Sequence, residues 1–242
     1  MATIVPKLSI IGFRRSAGPV GGRVTKFGGQ PVWNGAPTWP LDAETGSPME
    51  FVGQIHLDPS VFPVLQPTMV YLFVADDGEE SYDAYGGFNA VVVQPGDLPR
   101  LETVALEEGP ASCRLVSAEG AIVPAHPADC EFEVDTLRAV DGQAPTKEQR
   151  RRWAEDPGLE YVERLQGALG STRGNKIGGI PYFHRDWPDP FTPAEWQLVL
   201  QVEDGHQGVD LPFFLNLGTD GIGYVLVSTD FRSGVFFWER PG

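Results

Sequence analysis

The sequence predicts an α+β fold that is rich in strands, with mainly antiparallel sheets from two pseudo-symmetric repeats and a helical insert between them. Two observations carry this prediction. The segment Lys26–Trp33 has the pattern Lys-x-Gly-Gly-x-Pro and returns as Lys176–Phe183. Apolar segments bounded by turn residues then follow each copy in the same order. Collinear motifs of this kind indicate a duplicated unit that buries its apolar face against its copy.

The predicted organisation is a single domain over residues 1–242. Repeat one covers about 21–95, the insert about 96–174 and repeat two about 175–242. A chain of this length can bury a large core. We therefore expect one intimate double unit, without a flexible linker between its halves.

Repeat one reads as an antiparallel meander of three strands. Phe51–Leu57 is a mainly buried strand that ends at Asp58 and Pro59, and Met69–Ala75 is the second. Phe88–Val93 is the third, and because nearly all of its residues are apolar, both of its faces are expected to be covered.

The insert combines short strands with the helical part of the chain. Polar and apolar residues alternate over 112–116 and 130–134, which indicates strands with one wet face. Thr146 and Gln149 form a capping-box pattern that predicts a helix over Lys147–Glu155. A second, covering helix is predicted over Leu159–Leu169, where an apolar stripe ends at a glycine.

Repeat two repeats the strand signals. Thr192–Glu195 predicts a single helical turn, followed by a strand over Trp196–Gln201. Ile222–Val227 corresponds to the second strand of repeat one, and Phe236–Pro241 matches the end of its third.

The charge limits the classes of partner. The chain has 33 acidic and 18 basic residues and a formal net charge of −15, so its average field repels nucleic acids and anionic membranes and attracts basic proteins. Residues 1–11 lack the pattern of a cleavable signal, and the chain contains no apolar run long enough to cross a bilayer. These features predict a cytoplasmic protein. Cys113 and Cys130 are predicted to be free thiols.

Several coupled motifs resemble the YwqG-like family. They are Phe27-Gly28-Gly29-x-Pro31, the pair Trp39-Pro40, the segment from Gly46 to Leu57, a second Gly-Gly-x-Pro at 178–181, and an apolar strand that ends at Gln201. The resemblance runs from about Lys26 to the end of the chain. It implies an α+β, strand-rich fold with internal pseudo-symmetry, and it brings no established reaction because the family is one of unassigned function.

The glycine pairs leave two interpretations open. Gly28-Gly29 and Gly178-Gly179 could cradle a phosphate, yet no lysine, hydroxyl and helix follow them as in a phosphate-binding loop. The favoured interpretation is a tight turn that requires a positive φ beside a proline-fixed strand entry.

Two glutamines interrupt apolar strands at corresponding places in the repeats. A buried amide needs partners, so Gln54 and Gln201 either satisfy backbone groups or face a cleft between the repeats. Aromatic walls with a few amides would suit a small ligand or an extended peptide. The candidate cleft residues are Trp39, Gln54, His56, Tyr71, Trp187, Gln201 and Tyr224.

No motif in the sequence indicates a cofactor, a metal site or a catalytic nucleophile. His126 and Cys130 have Pro127 between them and no second ligand pair follows. His56 is the one histidine that could act as an acid or base. The acidic cluster Asp76, Asp77, Glu79 and Glu80 is either a solvated turn or a patch for a basic partner.

Three classes of function remain. The first is a non-catalytic binding protein whose acidic surface meets a basic, toxin-like protein, as an immunity or antitoxin protein does. The second is a binder of a small ligand or peptide in the aromatic cleft, and the third is an enzyme with an unrecognised site. The sequence does not predict the oligomeric state.

Overall fold

A computed structural model of the chain describes residues 5–75, 83–111, 114–116, 121–125, 129–141, 147–156, 172–183, 187–203 and 211–240. In chain order, the strands and the helix within these ranges are β1 (Val5–Arg15), β2 (Lys26–Phe27), β3 (Trp39–Pro40), β4 (Glu50–His56), β5 (Met69–Val74), β6 (Asn89–Gln94), β7 (Thr103–Val104), β8 (Arg114–Val116), β9 (Ile122–Pro124), β10 (Phe132–Asp141), α1 (Lys147–Glu155), β11 (Lys176–Gly178), β12 (Trp196–Glu203), β13 (Ile222–Ser228) and β14 (Gly234–Glu239).

Ten of these strands form one sheet in the order β14-β13-β12-β11-β1-β10-β2-β4-β5-β6. Every neighbouring pair is antiparallel. The long pair β1–β10 lies in the middle, with β11–β14 on one side and β2 and β4–β6 on the other. The strands of the two halves are thus arranged around a central pair.

The sheet curls until its two end strands, β6 and β14, meet and nearly close a barrel. Gly234 allows the close approach, because a Cβ there would lie 2.3 Å from Cγ1 of Val91. Next to it, the backbone N–H of Asp97 donates to the carbonyl of Arg232 at 2.8 Å. We call the line where β6 meets β14 the seam.

The core has three parts because the sheet is covered on both faces in each half. The inner cluster combines residues of both halves, among them Leu72, Val93, Val225 and Phe236. An outer cluster around Trp39, Tyr71 and Phe73 covers the half with β4–β6. A second outer cluster around Phe183, Tyr224 and Phe237 covers the other half.

Burial on both faces explains the continuous apolar runs. All six residues of β5 and of β6 are buried, which confirms the prediction of two covered faces for the third strand of repeat one. The central pair differs, because the middle of β10 is exposed and carries polar residues such as Asp135 and Arg138.

The predicted α+β class and the helical insert are wrong. Strands dominate the described residues, and the part of the insert that they include supplies β7–β10 together with one nine-residue helix. That helix has the predicted bounds Lys147–Glu155, whereas the predicted helix Leu159–Leu169 lies outside the described residues. The capping signals are local. They do not reveal that β10 extends to ten residues because it pairs with β1 near the start of the chain.

Candidate functional site

The two repeated glutamines hold backbone segments together. Gln54 and Gln201 are completely buried, and each faces a tyrosine on the next strand. Oε1 of Gln54 accepts from the backbone N–H of Val32 at 2.8 Å, and Oε1 of Gln201 accepts from that of Tyr182 at 2.9 Å. Each Nε2 donates to two backbone carbonyls. All the described contacts of these amides are therefore with the backbone.

The two tyrosines complete the same arrangement in each half. The Tyr71 hydroxyl donates to the carbonyl of Val32 at 2.9 Å, and the Tyr224 hydroxyl donates to that of Tyr182. Burial raises the pKa of both phenols well above the ordinary value, and the nearby Glu239 carboxylate adds to the rise at Tyr224. Both side chains are fully buried and belong to different outer clusters.

The remaining candidate residues are also divided between the halves. Trp39 is fully buried, and its indole N–H donates to the Met49 carbonyl at 2.7 Å. Trp187 is half-buried and packs with Phe183 on the opposite half. His56 is half-buried at the end of β4, where its backbone N–H donates to Thr25. The structure thus divides the aromatic candidates between the two outer clusters, with Trp39 and Tyr71 in one and Trp187 and Tyr224 in the other, and does not bring them into one cleft.

The glycine pairs enclose buried carboxylates. Gly29 and Gly179 have φ values of +66° and +82°. A Cβ on Gly29 would lie 2.5 Å from the Glu131 carboxyl carbon, and one on Gly179 would lie 2.3 Å from Oδ2 of Asp141. These are the tight turns with positive φ that the sequence favoured.

Buried ion pairs between lysines and these carboxylates are a feature that sequence reasoning missed. Lys26 binds Glu131, and Asp141 binds both Lys7 and Lys176 at 2.6 Å. Burial lowers the pKa of Lys176 to about 8, although the Asp141 carboxylate opposes that shift. The repeated lysine of the Lys-x-Gly-Gly pattern was the available signal. Glu131 lies just before β10 and Asp141 is the last residue of that strand, and no local sequence pattern marks either carboxylate.

Among the clefts of the described residues, two with volumes of about 390 and 370 Å³ lie at residues 211–221 and between Pro63 and Phe231. Another lies at the seam and has a volume of about 350 Å³. We call it the seam cleft. The edges of β6 and β14, a loop before β6 and a loop after it form its walls. Its lining residues are Ala84, Tyr85, Gly87, Asn89, Ala90, Val91, Asp97, Leu98, Pro99, Arg100, Leu101, Trp196, Ser228, Ser233, Gly234 and Val235.

Aromatic side chains form part of the wall of the seam cleft. Tyr85 is 42% exposed, and Trp196 is half-buried. The buried ring of Phe191 supports both, with ring centroids 5.9 Å from Tyr85 and 5.3 Å from Trp196. Both aromatic side chains of the wall therefore have a packed support behind them. Sequence reasoning placed an aromatic cleft between the repeats but missed these residues, since the two sheet ends meet only in three dimensions.

Two charged residues line the seam cleft. The Asp97 carboxylate accepts from the Arg232 guanidinium at 2.6 and 3.0 Å, which ties the loop after β6 to the turn before β14. The guanidinium of Arg100 lies over the Tyr85 ring, 4.4 Å from its centroid. In the ranges that the structure describes, no ion pair involves Arg100.

Several predicted features lie outside the described residues, namely Asp76, Asp77, Glu79, Glu80, Cys113 and His126. The Cys130 side chain is buried. Within the described ranges, no group of three or more His, Cys, Asp or Glu side chains could hold a metal ion. None of the helices in those ranges is long and apolar enough to cross a membrane.

Comparison with known proteins places the chain in a family. None of the curated proteins matches it. A family model described as a domain of unknown function, DUF1963, matches residues 25–231, a range that includes both Lys-x-Gly-Gly motifs and β6 and ends before β14. The chain belongs to the DUF1963 family, a family of domains of unknown function.

Proposed function

We propose that the chain is a binding protein and that a small ligand occupies the seam cleft. The observation that carries the proposal is an open cleft between the two ends of the sheet, with Tyr85 and Trp196 in its wall. Its volume of about 350 Å³ lies within the range of small-molecule sites, which are mainly apolar with a few polar groups.

The cleft is also supported on several sides. Gly234 and Val91 are in contact at one place along the seam, and the ion pair between Asp97 and Arg232 holds a second place. Phe191 packs behind the aromatic wall. A site with walls that are already packed binds with a smaller loss of side-chain freedom than a site that must order itself.

A fluorescence titration with phenylnaphthylamine, a neutral aromatic probe, tests this proposal. Ser233 is exposed and lines the cleft, so Ser233→Trp should fill the cleft without removing a core side chain. Thr136→Trp, at an exposed position on β10, is the matched control. We expect the wild type and the control to bind the probe and Ser233→Trp to lose at least about tenfold in affinity. Equal binding by all three proteins would contradict the proposal.

The net charge of −15 favours a second candidate, a basic protein partner of the toxin type. In that case the chain would act as an immunity or antitoxin protein. Long-range attraction would steer the encounter, so the association rate should fall steeply between low and physiological salt while the dissociation rate changes less. A pull-down from cell lysate would supply the partner, and salt-independent kinetics would contradict this candidate.

Three narrower statements belong to the same proposal. The chain is a YwqG-like member of its family, it works in the cytoplasm, and its halves arose by duplication. Matching contacts support the duplication, because Lys26 pairs in register with Gln54 as Lys176 does with Gln201. Each glutamine then faces a tyrosine on the next strand. A structural superposition of 26–95 on 176–241 about a twofold axis would test it.

A further inference from the structure

The ligand class of the seam cleft can be argued from its charges, an inference that rests on the proposed function. The two charged side chains of its lining have different surroundings. Asp97 accepts two hydrogen bonds from Arg232, so its carboxylate is already neutralised at the seam. Arg100 is exposed, and its described contact is with the face of the Tyr85 ring.

A guanidinium that lies over an aromatic ring meets no oxygen acceptor there. The five donors of arginine lie in the plane of the group, and in the described ranges no hydrogen bond or ion pair to an oxygen occupies those of Arg100, whose guanidinium carbon lies over the Tyr85 ring. The in-plane donors match the two oxygens of a carboxylate or a similar oxyanion. Arg100 can therefore bind an anion while it stays on Tyr85.

The walls select the shape of the rest of the ligand. Tyr85 and Trp196 present aromatic surface to the cleft, and aromatic pairs prefer stacked or edge-to-face contacts. A flat ring system can make such contacts with both. A cationic ligand would instead meet Arg100, and like charges in one site repel each other.

We infer that the seam cleft binds a flat aromatic molecule with an anionic group, and that Arg100 binds the anion. The net charge of −15 opposes the approach of any anion. At physiological salt, however, the Debye length is about 8 Å, so distant surface charges are screened while the direct contact with Arg100 remains.

Two related probes separate the anion from the aromatic body. Anilinonaphthalene sulfonate carries an anionic group, and phenylnaphthylamine has the same ring systems without it. Both are titrated into the wild type, Arg100→Gln, Arg100→Lys and the control Arg138→Gln, which removes the same charge from an exposed position on β10. Unchanged thermal unfolding shows that each variant is folded.

We expect Arg100→Gln to weaken binding of the sulfonate about fivefold, the size of one partly screened contact between a guanidinium and an anion. Binding of the neutral probe should change by less than about twofold. The affinity of Arg100→Lys for the sulfonate should lie between those of the wild type and Arg100→Gln. The control should affect neither probe.

Other outcomes overturn the inference. Equal losses for both probes would mean that Arg100 only positions Tyr85, and no loss would mean that the anion lies elsewhere. In both cases the cleft would still bind the neutral probe, and the proposed function would stand. If Ser233→Trp leaves the binding of both probes unchanged, the cleft is not the site and the proposed function fails as well.

Discussion

Lys176 and Asp141 form an ion pair with 2.6 Å between Nζ and Oδ2, inside the turn formed by Gly178 and Gly179. Both side chains are almost completely buried, and Lys7 binds the other oxygen of the same carboxylate. The pair joins β11 to the end of β10. It thus fixes the second half of the sheet to the central strand pair.

Asp141→Asn should destabilise the protein more than Glu131→Gln. Breaking a buried ion pair from one side costs about 3–5 kcal/mol, because the remaining charge stays buried. Asp141→Asn removes the carboxylate that Lys7 and Lys176 share, whereas Glu131→Gln removes the carboxylate of Lys26. Urea denaturation gives the free energy of unfolding of each variant. Equal and small losses would show that these pairs do not determine stability.

Gly179→Ala should lower the free energy of unfolding more than Gly46→Ala, although both glycines have a positive φ. Alanine in the left-handed region costs about 1–2 kcal/mol at either position. Gly46 has no neighbour within 4 Å of a new Cβ, whereas Gly179 has the Asp141 carboxylate at 2.3 Å. The difference in the free energy of unfolding therefore isolates the clash with the buried carboxylate. A difference near zero would mean that the turn can move away freely.

The free energy of unfolding should fall as the pH rises above about 10.5. Because burial raises the pKa of Tyr71 and Tyr224 in the folded protein, the unfolded chain binds fewer protons once the pH passes 10, and stability is lost. Lys176 acts in the opposite direction between its folded pKa of about 8 and the ordinary 10.5. A pH titration tests this prediction, with phenolate absorbance to follow tyrosine ionisation and circular dichroism to follow unfolding. Ionisation of all six tyrosines before any unfolding would contradict it.

Trp39→Ala should cost about 3–5 kcal/mol, the usual result for deleting a buried large aromatic side chain. Trp187→Ala should cost less, because Trp187 is half-buried while Trp39 is fully buried and donates a hydrogen bond to Met49. The same denaturation experiment compares the two variants. A larger loss for Trp187→Ala would show that the second outer cluster depends on that side chain more than its burial indicates.

The repeated motifs identified the parts of the fold that depend on local sequence. The runs over β4, β5 and β6 are apolar because both faces are covered, and the glycine pairs mark turns with positive φ. The long pair β1–β10 could not be predicted in this way. Its strands are far apart in the sequence, and the exposed middle of β10 weakens the apolar signal.

The site was harder to predict than the fold. Gln54, Tyr71 and their counterparts in the second half repeat because they bind backbone groups, so repetition marked structure and not a ligand site. Tyr85, Arg100 and Trp196 meet only because the sheet curls until its ends approach each other. No sequence motif in either repeat predicts that β6 and β14 approach each other.

The most direct test of the seam cleft is a nuclear magnetic resonance titration of backbone amides with phenylnaphthylamine. We predict that the largest shifts fall on residues of both walls, Tyr85 to Ala90, Asp97 to Leu101 and Ser233 to Val235, and that Ser233→Trp abolishes them. Shifts centred on another cleft, at residues 211–221, or shifts that persist in Ser233→Trp, would contradict this prediction.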